Sequence, residues 1–167
     1  LPNSGKSTLI RAISSARPKT GSYPFTTLTP NLGVVQADQN NHFVVADIPG
    51  LIEGAHQGAG LGIRFLRHVE RTRILVFLID VSAIDPENVL KEYETLNHEL
   101  SMYGKSLMNK PRIVVLNKLD LPCSDQKLSL FLRAAKGVIS IGISAKTGMD
   151  VENLIASLLK MLEKSGG

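Results

Sequence analysis

Asp47 to Gly62 reads D-I-P-G-L-I-E-G-A-H-Q-G-A-G-L-G, and the reading of this stretch decides the fold. It follows an apolar run, His42 to Ile48, with the character of a buried strand, and then breaks into glycines at 50, 54, 58, 60 and 62. Glycine adds no apolar area and loses more chain entropy on folding than any other residue, so a packed core has no use for such a segment. What it offers is backbone freedom, and amide groups that can come close to a ligand. An aspartate at a strand end, with Asp-x-x-Gly opening a glycine-rich loop, is the layout of a γ-phosphate sensor. Asp47 would hold a magnesium ion, usually through water, and the Gly50 amide would meet the phosphate. The plain alternative is a long surface loop, and only the flanking sequence displaces it.

Upstream, Leu1 to Thr8 reads L-P-N-S-G-K-S-T, and helical apolar spacing follows at Leu9, Ile10, Ala12, Ile13 and Ala16. This is a phosphate-binding loop entering a helix, lacking only the first glycine of G-x-x-x-x-G-K-[ST]. Amides around Ser4 to Ser7 would wrap the phosphates, with the helix dipole behind them. Lys6 would reach the β- and γ-phosphates and the Ser7 hydroxyl would ligate magnesium. Asn3, Ser4, Gly5, Lys6, Ser7 and Thr8 are the candidate contacts here. The alternative is a chance Gly-Lys-Ser ahead of a surface helix. Arg17 to Pro30 is expected to be a loop, marked by Pro18, Gly21, Pro24 and Pro30. It contains Tyr23-Pro-Phe-Thr-Thr27, and in a nucleotide switch one such threonine completes the magnesium shell. Thr27 is preferred over Thr26, and Phe25 joins the nucleotide-binding candidates. Tyr23 and Phe25 can equally serve to fix the loop to the core.

Leu32 to Ala37 and His42 to Ile48 flank the polar turn Asp38-Gln-Asn-Asn41, which predicts an antiparallel hairpin with the first strand at a sheet edge. Beyond the glycines, Ile63 to Arg73 has amphipathic helical spacing, with Phe65, Leu66 and Val69 on one face and Arg64, Arg67, His68 and Arg71 as charge. Ile74 to Val81 and Arg112 to Leu116 are apolar runs of the kind buried on both faces of a parallel sheet. Between them, Asp85-Pro86-Glu87 predicts a helix start, with a core stripe at Val89, Leu90, Tyr93, Leu96, Leu100 and Tyr103 ending at Gly104. A helix over Asp125 to Lys136, a strand over Val138 to Ile143 and a helix with Val151, Leu154, Ile155, Leu158, Leu159 and Leu162 on one face complete the alternation. The expected fold is α/β: a mostly parallel open sheet with one antiparallel edge strand and helices on both faces. Each candidate motif sits at a strand's C-terminal end, where such sheets bind ligands.

The second buried run delivers Asn117-Lys118-Leu119-Asp120. Guanine presents N1–H and an exocyclic N2 amine side by side, and one carboxylate accepts from both. Adenine lacks that amine, so Asp120 would be left buried and unpaired against it; sites built this way discriminate by about 10⁴ or more. Lys118 would lie over the base plane, and Ser144-Ala145-Lys146 would meet guanine O6 through backbone amides. In the order phosphate loop, threonine loop, D-x-x-G, N-K-x-D and S-A-K, with fitting strands between, chance becomes a poor explanation.

Composition agrees and excludes other classes. The 167 residues suit one domain, 43% hydrophobic and 20% charged, with net charge +4, too mild to establish a polyanionic partner. The single cysteine, Cys123, excludes an internal disulfide and fits a cytoplasmic setting. The longest apolar run, Ile74 to Ile79, is far too short to span a bilayer.

Two longer segments narrow the reading. Y-P-F-T-T-L-T-P-N-L-G-V-V from Tyr23 to Val35, and D-I-P-G-L-I-E-G-A-H-Q-G-A-G-L-G-I-R-F-L-R-H-V-E-R-T-R from Asp47 to Arg73, resemble the two switches of the Obg group of P-loop GTPases. The resemblance covers the whole chain and implies a Ras-like G domain. It implies a cytoplasmic, magnesium-dependent enzyme binding GTP and GDP, with Lys6, Thr27 and Gly50 acting at the γ-phosphate and Ser7, Thr27 and Asp47 around the metal. It also implies action on the large ribosomal subunit and a separate glycine-rich N-terminal domain, in a protein expected to be monomeric. Asp120 separates the chain from relatives that carry glutamate there and favour ATP.

Where Ras-like enzymes carry a water-orienting glutamine, this chain has Leu51, which can neither accept from nor donate to water. Slow intrinsic hydrolysis is therefore expected, with His56 and Gln57 the nearby polar groups. Asn3 raises, by resemblance, a potassium ion in place of an arginine finger. A second class of function is a guanine-nucleotide sensor of GDP or alarmones in which hydrolysis is incidental. The phosphate loop also calls for a glycine ahead of Leu1 and, before it, a buried strand between those ending at Asp47 and Val81, because such a loop connects a strand to a helix. Residues 1–167 are thus expected to be an N-terminally truncated G domain of a longer protein.

Overall fold

The computed structural model describes residues 3–15, 19–20, 31–37, 39, 41–47, 70–102 and 104–166. Among these, helix α1 (Lys6–Ile13) opens the chain and is followed by strands β1 (Lys19–Thr20), β2 (Asn31–Gln36) and β3 (His42–Ala46). Then come β4 (Leu75–Asp80), a 3₁₀ turn at Val81–Ala83, α2 (Lys91–Met102), α3 (Lys105–Met108), β5 (Arg112–Asn117), α4 (Ser124–Ala134), β6 (Ser140–Gly142) and α5 (Val151–Lys164). The expected helix over residues 63–73 falls largely outside the described residues.

The strands form two three-stranded sheets, β1-β2-β3 and β4-β5-β6. The first is antiparallel, with Val34 opposite Val44 and Gln36 opposite His42, as the polar turn predicts. The second is parallel, with Leu75 opposite Arg112, Asp80 opposite Asn117, and Val115 opposite Ile141. The α/β class and the parallel register follow the expectation. What differs is β1, two residues within the expected loop that pair antiparallel with β2 and take the edge position from it. No ladder joins β3 to β4 among the described residues.

A shared apolar layer unites the two sheets instead. Val35 of β2, Leu78 of β4, and Ile113 and Val115 of β5 meet Leu9 and Ile13 of α1 and Val151, Leu154 and Leu158 of α5 in one cluster. The opposite face of β4 and β5, with Phe77, Ile79, Val114 and Leu116, packs on Leu96, Leu100, Leu107 and Phe131. β5 is covered on both sides, which is why its run of residues is buried from Ile113 to Asn117 without alternation. Phe131 is fully buried and meets Tyr93 edge-on, with ring centroids 6.2 Å apart.

The helix expected from Asp85 begins later. Asp85 accepts from the Glu87 amide in a local turn, and regular helix starts at Lys91. Aspartate offers the backbone this alternative to helix, so a sequence signature for a cap is satisfied by a turn. At the other end of the site, α1 is locked to β2: the amide and hydroxyl of Ser15 both donate to the Val34 carbonyl, at 3.0 and 3.1 Å.

That lock depends on Gly33. A Cβ there would press inside van der Waals contact of the Ser14 hydroxyl and lie 3.0 Å from Ile10 Cγ2. Gly33→Ala is therefore expected to destabilise the protein by about 1–3 kcal/mol through overpacking. Urea denaturation would read this as a lower midpoint at unchanged slope, with part of the loss recovered in Gly33→Ala/Ser14→Gly.

Candidate functional site

The C-terminal ends of β4 and β5, the turn after β6 and the loop before α1 converge, and Asn117 joins them. Its side chain donates to the Ser4 carbonyl at 2.9 Å and accepts from the Ala145 amide at 2.9 Å. Asn117 is 2% exposed and Ser4 1%, so both bonds lie out of water. A carboxamide can do this because it carries a donor and an acceptor on one planar group.

The loop before α1 is shaped for close approach. Asn3 and Gly5 have φ of 60° and 92°, in the left-handed region, and a Cβ on Gly5 would stand 2.5 Å from Asn117 Nδ2. Only glycine meets both demands. The Gly5 carbonyl accepts from the Leu9 amide at 2.8 Å, starting α1, whose first turn carries Lys6, Ser7 and Thr8. This positions the amide-lined helix start that a phosphate would use.

Asp47, just past β3, faces that turn. Lys6 Nζ lies 3.8 Å from Asp47 Oδ1, close enough for ionic attraction but beyond hydrogen-bond length. The same oxygen is buried and accepts no hydrogen bond. The two facts are compatible, since a cation at that range supplies charge without a donated proton. A buried carboxylate oxygen lacking a donor is a hard ligand of the kind a magnesium ion takes. Thr27, Phe25, Gly50, Leu51, His56 and Gln57 lie outside the described residues, so the threonine and glycine parts of the expected site have no geometry here.

The expected base end falls in the loops after β5 and β6. Ser144 donates its hydroxyl to Asp120 Oδ1 at 2.6 Å and accepts from the Thr147 amide at 3.2 Å, so the carboxylate is held in place. Each carboxylate oxygen has two lone pairs, which leaves Asp120 able to accept more. The Leu119 amide donates to Ile143 O at 3.0 Å, and Ser124 Oγ to Lys118 O at 3.0 Å, tying this loop to β6 and α4. Of the expected amides, Ser144 N donates to Met149 O and Ala145 N to Asn117, and Lys146 is the third.

Sequence reasoning missed one member of this cluster. Asp80 ends β4, and its Oδ2 accepts from Lys118 Nζ at 2.5 Å. Burial pushes the Asp80 carboxyl up, but the bond from Lys118, the bonds from Ser82 and the lysine's charge outweigh it and hold the group below its ordinary 3.8. A folded-state value below the unfolded one means stability that is present above pH 3.8 and is lost as pH falls through the lower folded value. The signal was a carboxylate closing the apolar run I-L-V-F-L-I-D at a strand's C-terminal end.

A phosphate loop with an aspartate beside its lysine, joined through Asn117 to an N-K-x-D loop at the C-terminal end of β5, defines a P-loop GTPase domain. Residues 1–118 match the 50S ribosome-binding GTPase family. The chain is 54% identical over 162 residues to the GTPase Obg of Desulforapulum autotrophicum, covering 97% of this chain and 47% of that protein. It is 51% identical over 166 residues to the GTPase Obg of Desulfatibacillum aliphaticivorans, covering 99% and 49%. Among solved structures, the G domain of the Thermotoga maritima FeoB iron transporter superposes with a TM-score of 0.68 at 18% identity, covering 96% of this chain and 93% of that one. At that identity the likeness speaks for the fold alone. The chain belongs to the 50S ribosome-binding GTPase family, in its Obg group. It spans about half the length of the curated relatives it matches.

Asn117→Ala removes both bonds of the bridging amide at once. The expected result is a loss of about 2–4 kcal/mol of stability, from buried polar groups losing their partner, and a fall in labelled-GDP affinity of at least about tenfold. A thermal melt and a fluorescence titration check the two effects separately.

Proposed function

We propose that this chain is the nucleotide-operated part of a GTP-hydrolysing switch that acts on the large ribosomal subunit. The observation that carries the nucleotide half is the Asn117 bridge, which brings a phosphate-type loop and a guanine-type carboxylate to one sheet edge. Asp120 reads guanine N1–H and N2, Lys118 covers the base, and the Ser144-Ala145-Lys146 turn, with its first two amides donated to Met149 O and Asn117, offers the Lys146 amide to O6. Asn3, Ser4, Gly5, Lys6, Ser7 and Thr8 hold the phosphates, with Phe25 beside the nucleotide. Lys6, Thr27 and Gly50 act at the γ-phosphate, and Ser7, Thr27 and Asp47 hold magnesium. When bound, that ion neutralises charge on the phosphate oxygens. Asn3 is the residue at which a potassium ion would be held.

The ribosomal half rests on the family's description and on the Obg relatives. Among the described residues no helix is long and apolar enough to cross a membrane, and we read the protein as a cytoplasmic monomer. We read residues 1–167 as one GTP-binding domain, matching about half the length of its Obg relatives.

Titration with fluorescent GDP, GTP and ATP tests the reading: guanine nucleotides should bind at micromolar level or tighter, and ATP should not compete. Asp120→Asn is expected to weaken GTP by at least about tenfold and to gain xanthosine nucleotide, whose C2 oxygen matches the new amide donor. A variant that still prefers GTP would take Asp120 out of the base site. With leucine at 51, unassisted turnover should lie near 10⁻⁴ s⁻¹, about the scale of an unassisted switch GTPase. Lys6→Ala should abolish it, and Leu51→Ala should leave it nearly unchanged.

A further inference from the structure

Lys118, proposed above to cover the base, is held at its charged end. β4 and β5 run parallel with Asp80 opposite Asn117, so the residue after Asn117 comes over the end of β4. Lys118 takes φ 73°, a left-handed conformation uncommon for lysine, and its ammonium ends 2.5 Å from Asp80 Oδ2. The other carboxylate oxygen is committed elsewhere. Asp80 Oδ1 accepts from Ser82 N at 3.0 Å and from Ser82 Oγ at 2.6 Å. Lys127 of α4 then fastens that turn by donating to Ser82 O at 2.5 Å. One oxygen of the carboxylate is aimed by Ser82, and the other is presented to Lys118. The pair is shielded, with side-chain exposures of 30% for Lys118 and 18% for Asp80, so water screens it less than a surface ion pair.

We propose that Asp80 is a positioning residue for nucleotide binding: by fixing the Lys118 ammonium it sets the lysine stem in place as one wall of the purine slot before a nucleotide arrives. The proposal rests on the reading of Lys118 and Asp120 as the base site. A lysine stem has large rotamer freedom, and freezing it on binding weakens affinity. An anchored stem has already lost that freedom, which is preorganisation in its ordinary sense. The consequence differs from that of Asp120. Asp120 reads hydrogen-bonding groups and so discriminates between bases, whereas a methylene wall packs against any purine alike. Loss of Asp80 should weaken all purine nucleotides by one factor and leave the preference among them intact.

The test uses the intact protein and labelled GDP and IDP. Asp80→Asn keeps the shape but turns an acceptor into a donor against the ammonium. It should weaken both ligands by at least about threefold, up to about tenfold, the scale of immobilising one long side chain. The GDP-to-IDP affinity ratio should stay as in wild type. In a Lys118→Met background the same change should have no further effect. Ser82→Ala, which loosens the carboxylate without removing it, should give a smaller loss of the same kind. A loss below threefold in Asp80→Asn, a shifted ratio, or an undiminished loss in the Lys118→Met background overturns the proposal; the last would mean that Asp80 acts on the fold at large. Asp120→Asn run alongside separates the two readings. If it gains xanthosine nucleotide while Asp80→Asn is silent, the base site stands and the positioning role falls. If it keeps its guanine preference, the base site itself has been misassigned.

Discussion

A single buried carboxamide sets the terms for the site. Asn117 can satisfy its donor and its acceptor only if the loop before α1 and the turn after β6 both come to the end of β5. Leaving either atom unpaired in a 2%-exposed position would cost about 1–3 kcal/mol, a serious fraction of what holds a domain together. Several local features follow from that demand. Gly5 must lack a side chain because Asn117 approaches it closely, and β5 must be covered on both faces for the amide to be dry. The parallel register of β4 and β5 then sets Asp80 level with Asn117, which is how Lys118 finds a carboxylate.

Electrostatics divides the site into two ends. At the phosphate end, Lys6 and a buried oxygen of Asp47 face each other at 3.8 Å without a hydrogen bond, an arrangement open to an incoming cation and anion. At the proposed base end both carboxylates are already hydrogen-bonded: Asp80 accepts from Lys118, and Asp120 accepts from the Ser144 hydroxyl.

Much of this was legible in the sequence, for identifiable reasons. The runs at Leu75–Asp80 and Arg112–Asn117 could be read as parallel strands because burial on both faces removes the polar alternation. Asn117 and Asp120 could be named as candidates because they fall in a short motif, but the bridge that Asn117 makes to Ser4 and Ala145 joins distant parts of the chain and was not legible. β1 could not, since two residues in a proline- and glycine-marked segment carry no periodicity and owe their state to pairing with Asn31 and Leu32. The helix expected from Asp85 started late because the aspartate bonded the Glu87 amide in a turn instead. The Asp80–Lys118 bond joins residues 38 positions apart, so no local window contains it. The same is true of the fit between Gly33 and Ile10, which exists only once α1 lies on β2.

The bond from Asn117 to Ser4 spans 113 positions of chain, and that separation has a consequence for how the protein is made. At about 5–20 residues per second, translation delivers Asn117 roughly 6–23 s after Ser4. Hydrogen bonding and hydrophobic collapse run in microseconds, so the phosphate loop waits through a long interval without its partner. Nucleotide cannot be gripped at both ends until β5 has emerged and paired. The site therefore belongs to the late, non-local part of folding, and ligand binding becomes a report that the whole sheet has closed.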